Sequence, residues 1–354
     1  MRRLLPLLGL SLLAIARPAQ AEKRPGILAT LGPGSGQVAT LRAMLREGMG
    51  LARINLSHGN ARTNRALVQN LAQAATLEGR GQVPLLFDLP GGKVRLGRLS
   101  EPGLSLAVGQ PFEVTFGREQ PTTRFRAGVG YRALADHVRE GDRIFLDDDK
   151  IALRVTQVAT GGIQTVVERG GTLRSHLGLT VEGKELPFPS MTAEDRRKLR
   201  IAVQNGASYV GVSFVQSVKN LEAVRRALGR LGAPQVKVVA KIETLSALAQ
   251  LDAIVAASDA VMIARGDLAQ AVGREHLPAA QARIAARCRA QGKPFIAATN
   301  FLSQMIEAPV PSAANLADVE RAERQRPWLF MLNETAIGKY PVETVRTLRE
   351  ALGR

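Results

Sequence analysis

The sequence predicts an α/β chain, a (β/α)8 barrel with a small β domain inserted after its third strand. Three observations predict it. Eight short apolar runs of strand length alternate with runs of helical period, most of them ended by glycine. The alternation breaks once, between about residues 97 and 187, where short strand-like stretches and glycine turns take over. The first strand is followed by Leu31-Gly-Pro-Gly-Ser-Gly36, which is not the glycine spacing an open dinucleotide-binding sheet carries there.

Taken in order, the predicted strands are 26–31 (GILATL), 51–56 (LARINL), 84–89 (PLLFDL) and 209–215 (YVGVSFV). They continue with 236–242 (VKVVAKI), 259–264 (DAVMIA), 293–299 (KPFIAAT) and 328–332 (WLFML). The helical runs VATLRAMLREG, TNRALVQNLAQAATLEG, AEDRRKLRIAVQNG, VKNLEAVRRALGRLG, TLSALAQLDAIVAAS and REHLPAAQARIAARCRAQG lie between them, and VETVRTLREALG closes the chain. Within the insertion FEVTFG, DRIFLDDDKIALRVTQV and GGIQTVVERGG read as strands, YRALADHV is the one helical stretch, and ELPFPS reads as the return hinge. The domains are therefore 22–96 with 188–354 for the barrel and 97–187 for the insertion.

Composition sets limits. A chain of 354 residues with 45% hydrophobic and 22% charged residues is globular, with room for one large core and a smaller module. One cysteine, Cys288, excludes an intrachain disulfide framework and a cysteine-based metal cluster, and four scattered histidines argue against a histidine-rich site. Aromatic residues are only 4%, too few for the stacking surfaces that bind single-stranded nucleic acid. The net charge of +17 is spread along helices such as Arg196-Arg-Lys-Leu-Arg200, without a dense basic tract. It suits attraction of anionic metabolites and, non-specifically, of nucleic acid or anionic membrane; without a dense basic tract, specific nucleic-acid recognition is not expected.

Residues 1–21 have a signal-peptide pattern: MRR, an apolar stretch from Leu4 to Ala16, then Ala19-Gln-Ala21 before Glu22. The alternative is a misassigned start on a cytosolic protein, so the expected compartment is cytoplasmic on one reading and periplasmic or secreted on the other. The apolar stretch is short for a membrane span, and no second candidate exists, so no stable span is expected after cleavage.

The chemistry gathers at the predicted strand ends. Lys241 and Glu243 are two apart on one strand and leave the same face. Asp267 follows the tip of the next strand. Two carboxylates and an amine suit a divalent metal and an anionic substrate. Active sites of such barrels lie at the C-terminal ends of the strands. Those ends also carry Arg53, Asn55 and Ser57, Asp88, Ser213-Phe214, Thr299 and Glu334. Taken singly, Asn55, Ser57 and Asp88 are also ordinary turn and cap residues, and Arg53 and Arg95 ordinary surface arginines. His58 reads as packing within the Ser57-His-Gly59 turn rather than as a base.

With these residues in view, the sequence resembles the pyruvate kinase family. The stretches that carry the resemblance are LATLGPGS, GMGLARINLSHG, FDLPGGKVR, LDDDKIAL, GGTL, SFVQS, VAKIE, MIARGDL, KPFIAATNFLSQM and ETAIGKYP. The resemblance implies a TIM barrel with a mobile, β-barrel-like lid, and transfer of a phosphoryl group from phosphoenolpyruvate to ADP. It implies Glu243 and Asp267 as ligands of Mg2+ or Mn2+. Lys241 and Arg53 would flank the transferring phosphoryl group, and Thr299 would lie beside the carbon that is protonated. The amides of Gly266 and Asp267 would hold the substrate carboxylate, and Arg53, His58 and Arg95 would serve the nucleotide.

The sequence also departs from the family pattern. Where potassium-dependent members have DTKGPEIRT, this chain has Asp88-Leu-Pro-Gly-Gly-Lys-Val-Arg-Leu96. The acidic residue is here Lys93 and both threonines are leucines, Leu89 and Leu96. In the monovalent-cation region of Asn55, Ser57, Asp88 and Leu89, Lys93 is then expected to replace K+, making K+ dispensable. The two lysines after GGxLGS are His176 and Leu177, TRAE is Ser312-Ala-Ala-Asn315, SGET is the shorter Asn333-Glu-Thr335, and RGDLGIE is RGDLAQA. The chain stops after the last barrel helix, where the family continues into a regulatory domain; the expectation is a monomer or dimer without effector control rather than a tetramer. These departures motivate two further readings, a metal-dependent binder of phosphoenolpyruvate-like dianions that transfers nothing, and a lyase acting on keto acids.

Overall fold

The computed structural model describes residues 25–117, 120–147, 150–298 and 300–353. The leader-like segment 1–21 and Thr299 lie outside the described residues. Eight parallel strands close into a barrel: β1 (Gly26–Leu31), β2 (Met49–Asn55), β3 (Leu85–Asp88), β4 (Tyr209–Val212), β5 (Lys237–Ile242), β6 (Ala260–Ala264), β7 (Phe295–Ala298) and β8 (Leu329–Leu332). Each strand pairs with its neighbours in sequence, and β8 returns to β1 with Gly26 opposite Leu329. The predicted barrel is confirmed strand by strand.

Alternation along the strands divides the core in two. Leu28, Leu51, Leu86, Val239, Met262, Ile296, Leu329 and Met331 point inward and fill the barrel. The other face of each strand packs under the helices in a larger shell that includes Ile27, Ile54, Phe87, Ile242, Ile263 and Phe330. Each such fully buried side chain contributes roughly 1.5–3 kcal/mol. At the N-terminal end Tyr209 and Trp328 close the interior, their ring centroids 5.6 Å apart. The C-terminal end is left for polar residues.

The helical runs form largely as the pattern predicts, with two refinements. The run after β5 divides at Gln250 into Leu245–Ala249 and Leu251–Ala257. Helices Arg265–Val272 and Ala313–Glu323 were not among the predicted runs. The first starts directly at the tip of β6, so apolar strand and helix merge into one stretch of sequence. The second is started by Ser312 and Asn315, which cap each other reciprocally. The residues that depart from TRAE therefore act as a helix start. Among the described residues, no helix is long and apolar enough to cross a membrane.

The insertion is a seven-stranded sheet in the order Val94–Arg95, Gly178–Val181, Arg143–Leu146, Ile151–Ala159, Gly162–Arg169, Pro111–Phe116, Arg126–Val129. An antiparallel bridge between Leu96 and Val129 joins its two edges, so the sheet is nearly a closed barrel with its own core. The expected helix in YRALADHV shrinks to Leu134–His137. The hinge at ELPFPS is pinned from the lid side: the Tyr131 hydroxyl donates to Pro187 O at 2.6 Å and its ring stacks on Phe188 at 4.7 Å.

Cys288 offers a probe of this packing. It is fully buried under the barrel wall, and burial pushes its thiol from the usual value near 9.0 to about 12. The folded chain keeps this proton where the unfolded chain has released it, so the thiol lowers stability as pH rises from about 9 towards 12. Iodoacetamide at pH 8 should leave Cys288 unmodified in the native protein and modify it fully in denaturant, read by mass spectrometry; rapid native labelling would contradict this burial. Cys288→Ala should flatten the alkaline fall in stability.

Candidate active site

The polar cluster is the top layer of the barrel interior. Two residues above five of the inward apolar residues stands a polar one: Thr30 above Leu28, Arg53 above Leu51, Asp88 above Leu86, Lys241 above Val239 and Asn333 above Met331. Register aligns them, with Thr30 opposite Arg53 and Asp88 opposite Gly211. The strand pattern that buries the lower layers therefore also aims these groups at one another.

Asp88 is the hub. Its Oδ2 accepts from Arg53 Nε at 3.0 Å and Nη2 at 2.7 Å, and lies 3.3 Å from Lys241 Nζ. Burial pushes the Asp88 carboxyl up, but the charges and hydrogen bonds of Lys241 and Arg53 outweigh it and hold the group below the usual carboxylate range. Lys241 is lowered by burial and raised more by Asp88 and Glu243, so it stays firmly cationic. It donates to Ser213 Oγ at 2.7 Å and lies 2.9 Å from Glu243 Oε1. The same-face reading of Lys241 and Glu243 is thus realised as a direct contact.

Arg53 is gripped on its other edge as well. Its Nη1 donates to Asn333 Oδ1 at 2.8 Å and to Thr30 Oγ1 at 3.2 Å. Asn333 stands in the shortened turn after β8, and Thr335 Oγ1 ties that turn back to Thr30 O at 2.8 Å. Glu334, expected among the rim groups, turns inward instead: its Oε1 accepts from Leu302 N at 3.0 Å, and burial raises its carboxyl. It joins the loop after β7 to the turn after β8.

Glu243 is almost completely buried, and burial raises its carboxyl, with Lys241 opposing and Asp267 adding repulsion. Its Oε2 accepts from Phe214 N at 2.7 Å, while Oε1 accepts no aligned hydrogen bond. To direct that amide, Phe214 adopts φ of 53°, a conformation that costs a bulky residue about 1–3 kcal/mol. Asp267 lies in the first turn of the helix Arg265–Val272, which has no capping side chain. It receives Lys93 Nζ at 2.7 Å. The buried Glu243 carboxylate, held only by the Lys241 ammonium and one backbone amide, and the part-exposed Asp267 are hard-oxygen donors that fit Mg2+ or Mn2+.

Above these groups a cavity of about 480 Å3 separates barrel from lid, reaching from Glu243 and Asp267 to Val94, Phe145 and Leu179. Arg95 Nη1 donates to His176 O at 3.3 Å at the lid's base. His58 is held below its usual value, first by burial and then by Arg95, Arg53, His176 and Lys198. Asn55 Oδ1 accepts from Ser57 N at 3.0 Å, so these two build a turn, and Leu89 is buried.

Sequence comparison fits this geometry. The pyruvate kinase barrel domain matches residues 22–345. The chain belongs to the pyruvate kinase family. It is 39% identical over 332 residues to a pyruvate kinase of Aeropyrum pernix, covering 93% of this chain and 70% of that relative. A pyruvate kinase of Mycobacterium tuberculosis is 36% identical over 327 residues, 92% of this chain and 69% of its own. One from Thermococcus litoralis is 36% identical over 324 residues, 91% and 67%.

The periodic strand pattern leads to Arg53, Asp88, Lys241 and Glu243. Thr30 and Gly211 were missed as site residues, and Asn333 was noted only as part of the shortened turn, although continuing the inward period from Leu28, Tyr209 and Met331 reaches each. Gly211 matters through what it lacks: a Cβ there would stand 2.5 Å from Asp88 Oδ1. Gly211→Ala should displace Asp88 and cut kcat/KM in a pyruvate kinase assay by roughly tenfold or more, with unchanged circular dichroism. Asn333→Ala removes one Arg53 bond and should cost about 1 kcal/mol in kcat/KM, with Asn333→Asp recovering part of it. Wild-type kinetics for both alanine variants would contradict the Arg53–Asp88 arrangement.

Proposed function

We infer that the chain transfers the phosphoryl group of phosphoenolpyruvate to ADP, giving pyruvate and ATP, with the chemistry centred on Lys241 and Arg53. Family membership carries the reaction. The observation that supports this assignment of residues is the sharing of one buried carboxylate, Asp88, by two cations, one of which, Lys241, also pairs with Glu243 Oε1.

Arg53 and Lys241 are held in place before substrate arrives. Their positive charge faces the rim, where charge develops on the phosphoryl oxygens in the transition state. Preorganisation matters because neither side chain has to find its rotamer during the reaction. Glu243 and Asp267 would hold Mg2+ or Mn2+, which supplies neutralisation of substrate and phosphoryl oxygens when bound. The uncapped first turn around Gly266 and Asp267 suits the substrate carboxylate. Arg95 and His58, with Arg53, face the side where ADP phosphates enter. The family resemblance assigns protonation of the methylene carbon to the neighbourhood of Thr299.

K+ is dispensable in this reading. Lys93 brings an ammonium into the site at Asp267, Leu89 offers no side-chain oxygen, and Asp88 is already shared by Arg53 and Lys241. Rates in potassium and in a bulky organic cation should agree within about twofold, as expected when the charge is supplied by the protein. A large loss without potassium would refute this.

A coupled assay on the chain from Glu22, with Mg2+, phosphoenolpyruvate and ADP, should give pyruvate and ATP in equal amounts. Pyruvate without ATP would favour the lyase reading, and binding without product the dianion-binder reading. Lys241→Met should reduce kcat by roughly 100- to 1000-fold while metal binding persists. Undiminished ATP formation would remove Lys241 from its role.

A further inference from the structure

We propose that Lys93 competes with the divalent metal for Asp267, so that metal binding releases a cation carried by the lid. This rests on Glu243 and Asp267 as the metal pair and adds a regulator to that pair. The observation is a direct contact: Lys93 Nζ lies 2.7 Å from Asp267 Oδ1, with Lys93 only 10% exposed. A divalent cation that ligates this oxygen directly competes with the ammonium for it, and repels it more strongly than the single charges sharing Asp88 repel each other.

The lysine is aimed by both domains. It immediately precedes Val94–Arg95, the first strand of the lid. Its stem runs over Gly178 of the neighbouring lid strand, where a Cβ would stand 2.6 Å from Lys93 Cε. Its ammonium lies 5.5 Å from the centre of the Phe214 ring. Phe214 in turn presents its amide to Glu243 Oε2 at 2.7 Å. Lys93 therefore touches Asp267 directly and the residue that orients Glu243, while its backbone leads straight into the strand that starts the lid.

Two consequences follow from competition at one oxygen. The apparent metal affinity is reduced by the fraction of molecules in which Lys93 holds Asp267. By reciprocity, a bound metal weakens the strap between lid and barrel and frees an ammonium beside the cavity. The released charge is then available to substrate anions, so metal loading and anion recruitment are linked through a single side chain.

Mn2+ binding to the full chain, followed by the electron paramagnetic resonance of the free ion without phosphoenolpyruvate or nucleotide, tests this. Lys93→Met should bind Mn2+ about tenfold more tightly than wild type, as expected if about a tenth of molecules leave Asp267 free. Gly178→Ala keeps every charge but pushes the Lys93 stem aside, and should tighten binding in the same direction. Lys184→Met removes the same charge from the cavity wall and should change affinity less than about twofold, since a solvent-facing charge is screened. Asp267→Asn should largely abolish binding. If Asp267→Asn loses Mn2+ but Lys93→Met binds no more tightly than wild type, the competition is refuted and the metal pair stands. If Asp267→Asn binds normally, the metal pair itself falls and the competition with it.

Discussion

The site depends on one buried carboxylate shared by two cations. Asp88 sits between Arg53 and Lys241, with all three largely withdrawn from solvent. None would be tolerable there alone, since an unpaired buried charge costs several kcal/mol. Together they form a rigid positive rim whose geometry is set by strand register rather than by loops. The arrangement also explains neighbouring choices: glycine at 211 leaves the carboxylate its space, and Thr30 and Asn333 take up the edge of Arg53 that Asp88 does not reach.

Glu243 shows the same logic with the opposite sign. Burial and Asp267 both disfavour its charge, and Lys241 and the Phe214 amide favour it. A strained backbone at Phe214 is the cost of that amide. Strain of this kind persists where surrounding contacts over-determine it, and here it stands under the lid with the ring against Lys93. The Glu243 carboxylate is thus balanced between burial and the protein cation and amide that hold it.

Much of this was legible in the sequence because one period governs both packing and chemistry. Five of the eight apolar runs that fill the barrel have a polar residue two positions beyond an inward member, and Arg53, Asp88 and Lys241 emerged from that pattern, with Glu243 one step further on the same face. What stayed hidden depends on contacts that local patterns do not encode. Asn333 lies on the inward period, but its meeting with Arg53 across 280 residues of chain is a pairing that no local pattern encodes. Glu334 looked like a rim group, yet its turn rotates it inward. The helix at Arg265 was concealed because it begins without a break from an apolar strand. In the lid, short strands with few periodic residues left the pairing order unreadable, and the closing bridge between Leu96 and Val129 is a long-range contact.

The aromatic plug at the floor of the barrel has a practical meaning for anyone watching this protein in solution. Trp328 is the only tryptophan in the chain and stands beside Tyr209, at the end of the barrel remote from the cations. Its emission is an optical gauge of whether the barrel is closed, and it is insulated from events at the opposite mouth. A fluorescence titration that stays flat on adding ligand would therefore be silent about occupancy, whereas a spectral shift would mean that the floor itself had opened.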